Sequence, residues 1–241
     1  MTEKMKNFKL RNDLTIKVGK KTLYRIEATK DIKKFGVKAG DLGGYIEKED
    51  NLYGDAWVSG DAKVYGNAMV FGNAFVSEDA EVFGNAKVYG DAKVYGDAWV
   101  SEYAQVSCDA EVYGDAMVSG DAWVSGDARV SGDARVSGDA EVYGDALVSG
   151  YARVSGDAEV YGDKIEKEND LINITSNAGS YNITITPNHI KIGCQYHSKT
   201  AWFKITENKI RKMDGQKAVD WWKTWKPILQ TICDALNGGN E

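Results

Sequence analysis

The stretch SGDARVSGDARVSGDAEV, residues 125–142, consists of one six-residue sequence repeated three times with a single change. The pattern extends without insertion through 18 consecutive hexapeptides, from Tyr53 to Val160, with Ala at every fourth position and Val at every sixth position. The second position is Gly in all hexapeptides but three, and the third is Asp or Asn in all but two. A fixed period over such a length predicts a repeat architecture in which each hexapeptide is one structural unit.

Within each hexapeptide, the side chains from the fourth position to the next first position alternate in direction, as in a short strand. This alternation predicts that Ala and Val point inward and that the fifth and first positions point outward. The Gly-Asp or Gly-Asn pair at the second and third positions is typical of a turn, and Asp and Asn tolerate a left-handed backbone comparatively well. Each hexapeptide therefore forms one short strand and one corner. The small inward side chains favour a narrow core with three flat sides and about 18 residues per coil.

The hexapeptides resemble those of the hexapeptide-repeat family, in which an aliphatic residue and a small residue four places later point inward. The resemblance implies a left-handed parallel β-helix of about six triangular coils. It also implies the trimeric assembly of that family and, for its acyltransferases, a histidine that acts as general base in a cleft between subunits.

Two further segments add to the resemblance. The segment GVKAGDLGGYIEKEDNLYGDAWV (36–58) looks like the entry to the repeats in an uncharacterised group of hexapeptide-repeat proteins. The segment ITSNAGSYNITITPNHIKIGC (174–194) looks like the small domain that follows the repeats in many of them. This group is frequent in phage and prophage genomes and is often labelled as acyltransferases.

The chain divides into three parts. Residues 1–40 are predicted to form a β cap with a turn at Gly19–Lys20, and residues 41–163 to form the β-helix, because Ile46 and Leu52 continue the spacing of the Val positions. The register breaks at Lys164, where Ala is due. Residues 164–241 are predicted to form a small α+β domain of three strands and a Trp-rich helix that Pro227 kinks or divides.

Composition restricts the class of protein. No segment has the length of uninterrupted apolar sequence that a membrane helix requires, and no secretory signal is recognised, so we expect a cytoplasmic protein that does not bind membranes. The three cysteines, Cys108, Cys194 and Cys233, are far apart and form no C-x-x-C motif, which predicts neither disulfides nor a thiolate zinc site. We expect no cofactor and no bound metal.

Candidate catalytic residues are scarce. The repeats contain no histidine and no inserted loop, and the two histidines, His189 and His197, lie in the carboxy-terminal part without an acidic partner at a recognisable spacing. Both are interpreted as surface residues, and the tryptophan stripe is interpreted as core. The sequence therefore favours a non-catalytic protein. The alternative is an acyltransferase whose site is built from the carboxy-terminal domain.

The acidic residues point to a binding role. Residues 53–163 contain 14 Asp and 6 Glu but only 3 Lys and 3 Arg, a net charge of −14 within a chain of net charge −6. The third-position carboxylates are expected to stack in three rows with a spacing of about 4.8 Å. The candidate interaction surface consists of Asp91, Asp97, Asp109, Asp115, Asp121, Asp127, Asp133 and Asp139.

Three explanations of these rows remain open: simple turn chemistry, a decoy surface for a nucleic-acid-binding host protein, and sites for divalent cations. For the decoy, the partner is a protein with a basic surface, and no direct binding of nucleic acid is expected.

Charge and aromatic residues on the outer faces predict a homo-oligomer, with a trimer favoured. Arg135 and Arg153 are expected on one face and Glu141 and Glu159 on the next, so that each subunit offers its Arg face to its neighbour's Glu face. The predicted interface consists of Arg135, Arg153, Glu141, Glu159, Tyr143, Tyr161, Trp57 and Trp99.

Overall fold

A computed structural model describes residues 6–175 and 181–238. Its central part is a parallel β-solenoid of about seven turns, in which strands 18 residues apart pair along three sheets. Sheet I contains Phe8–Val18, Lys21–Ala28, Leu42–Ile46, Lys63–Val64, Glu81–Val82, Trp99–Val100, Met117–Val118, Arg135–Val136 and Arg153–Val154. Sheet II contains Trp57–Val58, Phe75–Val76, Lys93–Val94, Glu111–Val112, Arg129–Val130, Leu147–Val148 and Lys164–Ile165. Sheet III contains Met69–Val70, Lys87–Val88, Gln105–Val106, Trp123–Val124, Glu141–Tyr143 and Glu159–Tyr161.

The core confirms the inward assignment of the fourth and sixth positions. Every Ala and Val at these positions is buried, with Val64 and Val112 at 0% exposure. Backbone hydrogen bonds join each coil to the next, as where Lys93 N donates to Ala110 O at 2.9 Å. Because each buried Val contributes about 1.5–3 kcal/mol, the stacked valines supply most of the stability of the solenoid.

The corners depend on the second position of the hexapeptide. Gly120 has a φ of 70°, and an added Cβ would lie 2.7 Å from the backbone nitrogen of Gly138 in the next coil. The left-handed residue of each corner is therefore the glycine, and not the Asp or Asn that follows it. Glu78, Glu102 and Cys108 occupy this position with φ values of 61°, 59° and 60°. A side chain in this conformation costs about 1–2 kcal/mol.

The amino-terminal residues extend sheet I. Strands Phe8–Val18 and Lys21–Ala28 pair antiparallel around the predicted turn, and a 3₁₀ turn, Lys33–Phe35, follows. Strand Leu42–Ile46 joins the solenoid with Ile46 opposite Val64, and Leu52 lies opposite Val70, beside the 3₁₀ turn Glu49–Asn51. The six-residue register therefore begins before the first hexapeptide, which is one reason why the solenoid has more turns than the hexapeptides alone provide.

The last turn is one residue shorter than the others. Ile165 pairs with Val148, and the backbone nitrogen of Leu147 donates to Asp163 O at 2.9 Å, where other coils use the carbonyl of the fourth-position Ala. The predicted break of register at Lys164 is therefore a deletion of one residue. As a result, Asp163 moves from the exposed corner to the Ala position and is only 2% exposed.

The carboxy-terminal part is a four-stranded antiparallel sheet covered by helices. The strands are Ile172–Ile174, Ile183–Ile185, His189–Ile192 and Gln195–Ser198, one more than predicted, and they follow a 3₁₀ turn, Glu168–Asp170. Helix α1 spans Lys199–Lys204, and helix α2 spans Glu207–Gly238.

The break in helix α2 differs from the prediction. The non-helical dihedral angles lie at Asp214 and Gly215, whereas Pro227 lies inside the second segment, so Pro227 does not begin a second helix. The helix buries Val219, Trp222 and Leu229 against the sheet, while Ile228 of the predicted stripe is exposed. Within the described residues, no helix combines the length and the apolar composition needed to span a membrane.

Candidate functional site

Corner carboxylates of the solenoid follow its three edges. Each row of carboxylates directly precedes the strands of one sheet. Asp91, Asp109 and Asp127 precede strands of sheet II, and Asp97, Asp115 and Asp133 precede strands of sheet I. Asp121 and Asp139 precede strands of sheet III. Backbone hydrogen bonds fix this stacking, since Asp109 N donates to Gly126 O at 3.0 Å. Two unit charges about 4.8 Å apart repel by about 0.9 kcal/mol in water. Neighbouring carboxylates in a row therefore repel one another, and binding of a cationic surface would reduce this repulsion.

Most of these aspartates carry no compensating charge. Asp91 is ion-paired with Lys34 of the amino-terminal part, and Arg25 lies 3.8 Å from Asp61 in an earlier coil. Among the residues that the structure describes, the other seven aspartates of the candidate surface have no ion-pair partner, and all seven are exposed. The basic amino-terminal part thus pairs with two corner carboxylates, Asp61 and Asp91, and the seven unpaired aspartates of the candidate surface lie further along the chain.

The aromatic residues of the early coils are less exposed than the sequence suggested. Trp57 is 1% exposed, because strand Leu42–Ile46 packs against it at Gly43, where an added Cβ would lie 2.7 Å from Trp57 Cζ2. Its predicted place in an interface was wrong. Phe75 stacks on Phe35 with a centroid distance of 4.8 Å. Trp99 remains 45% exposed. The other exposed aromatic residues of the solenoid are Tyr103, Trp123, Tyr151 and Tyr161.

The predicted Arg and Glu faces exist as separate surfaces. Arg135 lies beside Arg153 on sheet I, and Glu141 lies beside Glu159 on sheet III. There Tyr143 also contacts Tyr161, with the two rings tilted by 48°. Two of these charges have partners within the chain, since Arg153 pairs with Glu168 and Glu159 pairs with Lys191. Like charges on neighbouring strands are unfavourable without an opposite charge nearby.

The buried Asp163 organises a polar cluster that the sequence did not reveal. Its carboxylate accepts hydrogen bonds from Asn188 Nδ2 at 2.9 Å, from His189 Nδ1 at 2.8 Å, from Tyr196 OH at 3.2 Å and from the Thr186 hydroxyl. Burial alone would raise the pKa of Asp163, but the bonds from Thr186, Asn188 and His189 outweigh it and hold the pKa below its usual value. The cluster joins the carboxy-terminal sheet to the end of the solenoid.

Both histidines therefore differ from the prediction of plain surface residues. His189 has an acidic partner 26 positions away, its side chain is 30% exposed, and its ring stacks on Tyr196 with a centroid distance of 4.8 Å. This is the base-orienting pair of many hydrolytic and transfer enzymes, with Nε2 as the second ring nitrogen. His197 is partly buried with its ring edge against Trp202, and burial lowers its pKa.

A metal site receives no support from the geometry. The part of the chain that the structure describes holds no group of three or more His, Cys, Asp or Glu side chains arranged to bind a metal ion.

Comparison with known proteins agrees with the repeat architecture. Four segments, residues 62–78, 110–126, 128–142 and 140–156, match the family model described as the YdcK beta solenoid repeat, and all four lie in the solenoid. No curated protein matches the chain. The chain is thus a β-solenoid repeat protein, while its closer resemblance to hexapeptide acyltransferases and to the phage-borne group stays a prediction.

Proposed function

We propose that this chain is a rigid, non-catalytic binding protein whose corner carboxylates occupy the basic, duplex-binding surface of another protein. One observation carries the proposal: seven exposed aspartates without an ion-pair partner among the described residues lie in rows on a backbone that hydrogen bonds hold rigid. A flexible acidic tail would lose conformational entropy on binding, whereas these carboxylates are already ordered.

The charge density supports a duplex-like surface. A net charge of −14 between residues 53 and 163 is distributed over six coils, which span about 29 Å at about 4.8 Å per coil. The mean spacing is one charge per about 2 Å, close to the value of about 1.7 Å for duplex DNA. A protein that binds DNA through basic side chains would therefore meet a comparable potential along this rod.

The test measures displacement of a fluorescent DNA duplex from a basic duplex-binding protein by fluorescence anisotropy. The wild-type chain is expected to release the duplex at low salt and to lose this effect as salt is raised. Three double variants remove two carboxylates each from one row: Asp109→Asn with Asp127→Asn, Asp115→Asn with Asp133→Asn, and Asp121→Asn with Asp139→Asn. The fold should tolerate Asn, because Asn67, Asn73 and Asn85 occupy equivalent corners.

The three variants have equal net charge and serve as controls for one another. Since an exposed ion pair contributes about 0–1 kcal/mol, loss of two contacts should weaken displacement by up to about 30-fold in the variants whose row contacts the partner. At least one variant should behave like the wild type, because a partner on one side of a triangular rod cannot reach all three edges. Equal weakening in all three, or no displacement by the wild type at low salt, contradicts the proposal.

We further propose that the rod associates as a trimer through its Arg and Glu faces. The support comes from the like-charged neighbours Arg135 and Arg153 on sheet I and Glu141 and Glu159 on sheet III. Arg135 and Glu141 are the members of each pair without an ion-pair partner among the described residues. Association in a ring would place these opposite charges together at every contact.

A second candidate, acyl transfer, is favoured by the His189–Asp163 pair. The buried carboxylate of Asp163 lies 2.8 Å from Nδ1 and orients the ring, so that Nε2 is the nitrogen that could act on a substrate. The test is calorimetry with acetyl-coenzyme A followed by an acyl-transfer assay of the wild type and of His189→Ala. Saturable turnover that is lost in His189→Ala would establish this activity and refute the non-catalytic proposal.

A further inference from the structure

A cavity of about 320 Å³ opens in the carboxy-terminal domain, between its sheet and helix α2. Its walls are mainly aromatic and apolar: Tyr181, Ile192, Trp202, Ile210, Met213, Ala218, Trp221 and Trp222, with Cys194, Gln195 and Asp214 at polar positions. The volume is within the range of pockets that bind small molecules, about 300–1,000 Å³. The cavity lies outside the Asp163 cluster and the solenoid surface.

Two of the rings form a corner of the cavity. Tyr181 and Trp221 are perpendicular to each other, with an interplanar angle of 89° and a centroid distance of 5.0 Å. Trp202 and Trp222 form a second aromatic pair at 5.4 Å. Gly193 lets the ring of Tyr181 lie close to the turn before strand Gln195–Ser198, because an added Cβ would lie 3.1 Å from Tyr181 Cδ1.

The break in helix α2 places a carboxylate in the lining. Gly215 has φ 70° and ψ −162°, a conformation essentially restricted to glycine, and it ends the first segment of the helix directly after Asp214. Asp214 Oδ2 then accepts a hydrogen bond from Tyr181 OH at 2.5 Å. Burial, followed by this bond, raises the pKa of Tyr181 to about 12, so the hydroxyl remains a donor at neutral pH.

The charge of the lining has one sign. Among the described residues that line the cavity, Asp214 is the carboxylate and there is no lysine or arginine. Lys226, which does not line the cavity, lies 5.9 Å from the ring centroid of Trp222 and already occupies a face of that ring. The faces of aromatic rings attract cations, and tryptophan does so most strongly. An anionic ligand would meet both the carboxylate and the ring faces unfavourably, whereas a cation would find favourable contacts with both.

We propose that this cavity binds a methylated ammonium group, with the rings of Tyr181 and Trp221 beside the cation and Asp214 at its rim. A methylated ammonium has the apolar surface that the walls require and the charge that the carboxylate requires. The proposal does not depend on the function assigned to the acidic rows.

The test is titration of the full chain with choline, followed by tryptophan fluorescence, because three tryptophans line the cavity. The matched control ligand is 3,3-dimethyl-1-butanol, which has the shape of choline without its charge. Choline is expected to quench the fluorescence with saturation and to bind at least about tenfold more tightly than the neutral alcohol. Comparison of choline with an acetylated trimethyl-lysine amide and with phosphatidylcholine vesicles distinguishes a free ligand, a modified protein and a lipid headgroup as sources of the same group.

Two variants test the carboxylate. Asp214→Asn should weaken choline binding at least about fivefold. Asp220→Asn removes an exposed carboxylate of the same helix, which accepts a hydrogen bond only from Gln216 Nε2 among the described residues, and should change binding less than twofold. Equal binding of choline and the neutral alcohol, absence of a saturable signal with choline at millimolar concentration, or equal effects of the two variants would overturn the proposal.

Discussion

Asp163 is the residue whose replacement tests the junction between the solenoid and the carboxy-terminal domain. Asp163→Ala restores the repeat pattern, because the residue occupies an Ala position in the backbone ladder. The solenoid itself should therefore accept the change. The loss of stability comes instead from the side chains that donate hydrogen bonds to the Asp163 carboxylate and lose this acceptor.

The structure indicates the size of this cost. Tyr196 OH keeps a second acceptor, Tyr161 O at 2.6 Å, and the Thr186 hydroxyl keeps His189 O at 3.2 Å. Asn188 Nδ2 and His189 Nδ1 lose their acceptor. Each loss costs about 1–3 kcal/mol, and exposure of Asn188 to water places its share at the lower end, so we expect a total of about 2–4 kcal/mol. In thermal unfolding this corresponds to a decrease in Tm of roughly 5–15 °C.

Tryptophan fluorescence during urea or thermal unfolding measures the effect, because four of the seven tryptophans, Trp202, Trp221, Trp222 and Trp225, lie in the carboxy-terminal domain. The control is Asp145→Ala, an exposed corner one coil earlier, which should change stability by less than about 0.5 kcal/mol. Equal stability of Asp163→Ala and Asp145→Ala at neutral pH would refute the structural role of the cluster.

The pH dependence gives a second check with a defined sign. The pKa of Asp163 is lower in the folded protein than its ordinary value of 3.8, so its contribution to stability is present above that value. The contribution is lost as the pH falls through the lower, folded value. The difference in stability between the wild type and Asp163→Asn should therefore be constant near neutral pH and decrease below about pH 4. A difference that persists unchanged in acid would contradict the ionised state of this carboxylate.

Three further predictions concern the solenoid. Cys108→Gly should raise the free energy of unfolding, measured in urea, by about 1 kcal/mol, because glycine adopts the left-handed conformation of this corner without strain. Gly120→Ala should lower the free energy of unfolding by a similar amount or more. The opposite signs would contradict the geometry of the corner. Val112→Asp places an unpaired charge in the core and should abolish cooperative melting measured by circular dichroism, and a wild-type melting curve would contradict the inward assignment. Arg135→Glu with Arg153→Glu should shift the mass measured by light scattering from trimer toward monomer, because like charges would then meet at each contact. Addition of Glu141→Arg with Glu159→Arg should restore the mass of the trimer. A monomeric wild type at micromolar concentration would contradict the trimer.

The solenoid was predictable because its information is local and repeated. A single hexapeptide specifies one strand and one corner, and 18 copies in register leave no other assignment of the inward side chains. The same argument placed Arg135 and Glu141 on different faces, since the face depends only on the position within three hexapeptides. The burial of Trp57 was not predictable in this way, because it results from the approach of Gly43 in a segment outside the repeats.

The Asp163 cluster was missed for a physical reason. Its members come from the last corner of the solenoid and from a turn and two strands that lie 23 to 33 residues later, so no short motif joins them. A signal was nevertheless present at Lys164, where Ala is due. Deletion of one residue in a periodic chain transfers a corner side chain to the interior, and a carboxylate in that position requires donors from the following segment. The break in helix α2 lies at Asp214 and Gly215 and not at Pro227, the residue from which the sequence predicted it.

The stacking of three hexapeptides per coil also restricts how such a rod can change in length during evolution or in design. Removal of residues 125–142, one full coil, would shorten the rod by about 4.8 Å and leave both ends facing their original directions. Removal of residues 125–130 alone would rotate the carboxy-terminal domain by a third of a turn relative to the amino-terminal strands. Viable length variants of this protein should therefore differ by multiples of 18 residues wherever the relative orientation of the two ends is under selection.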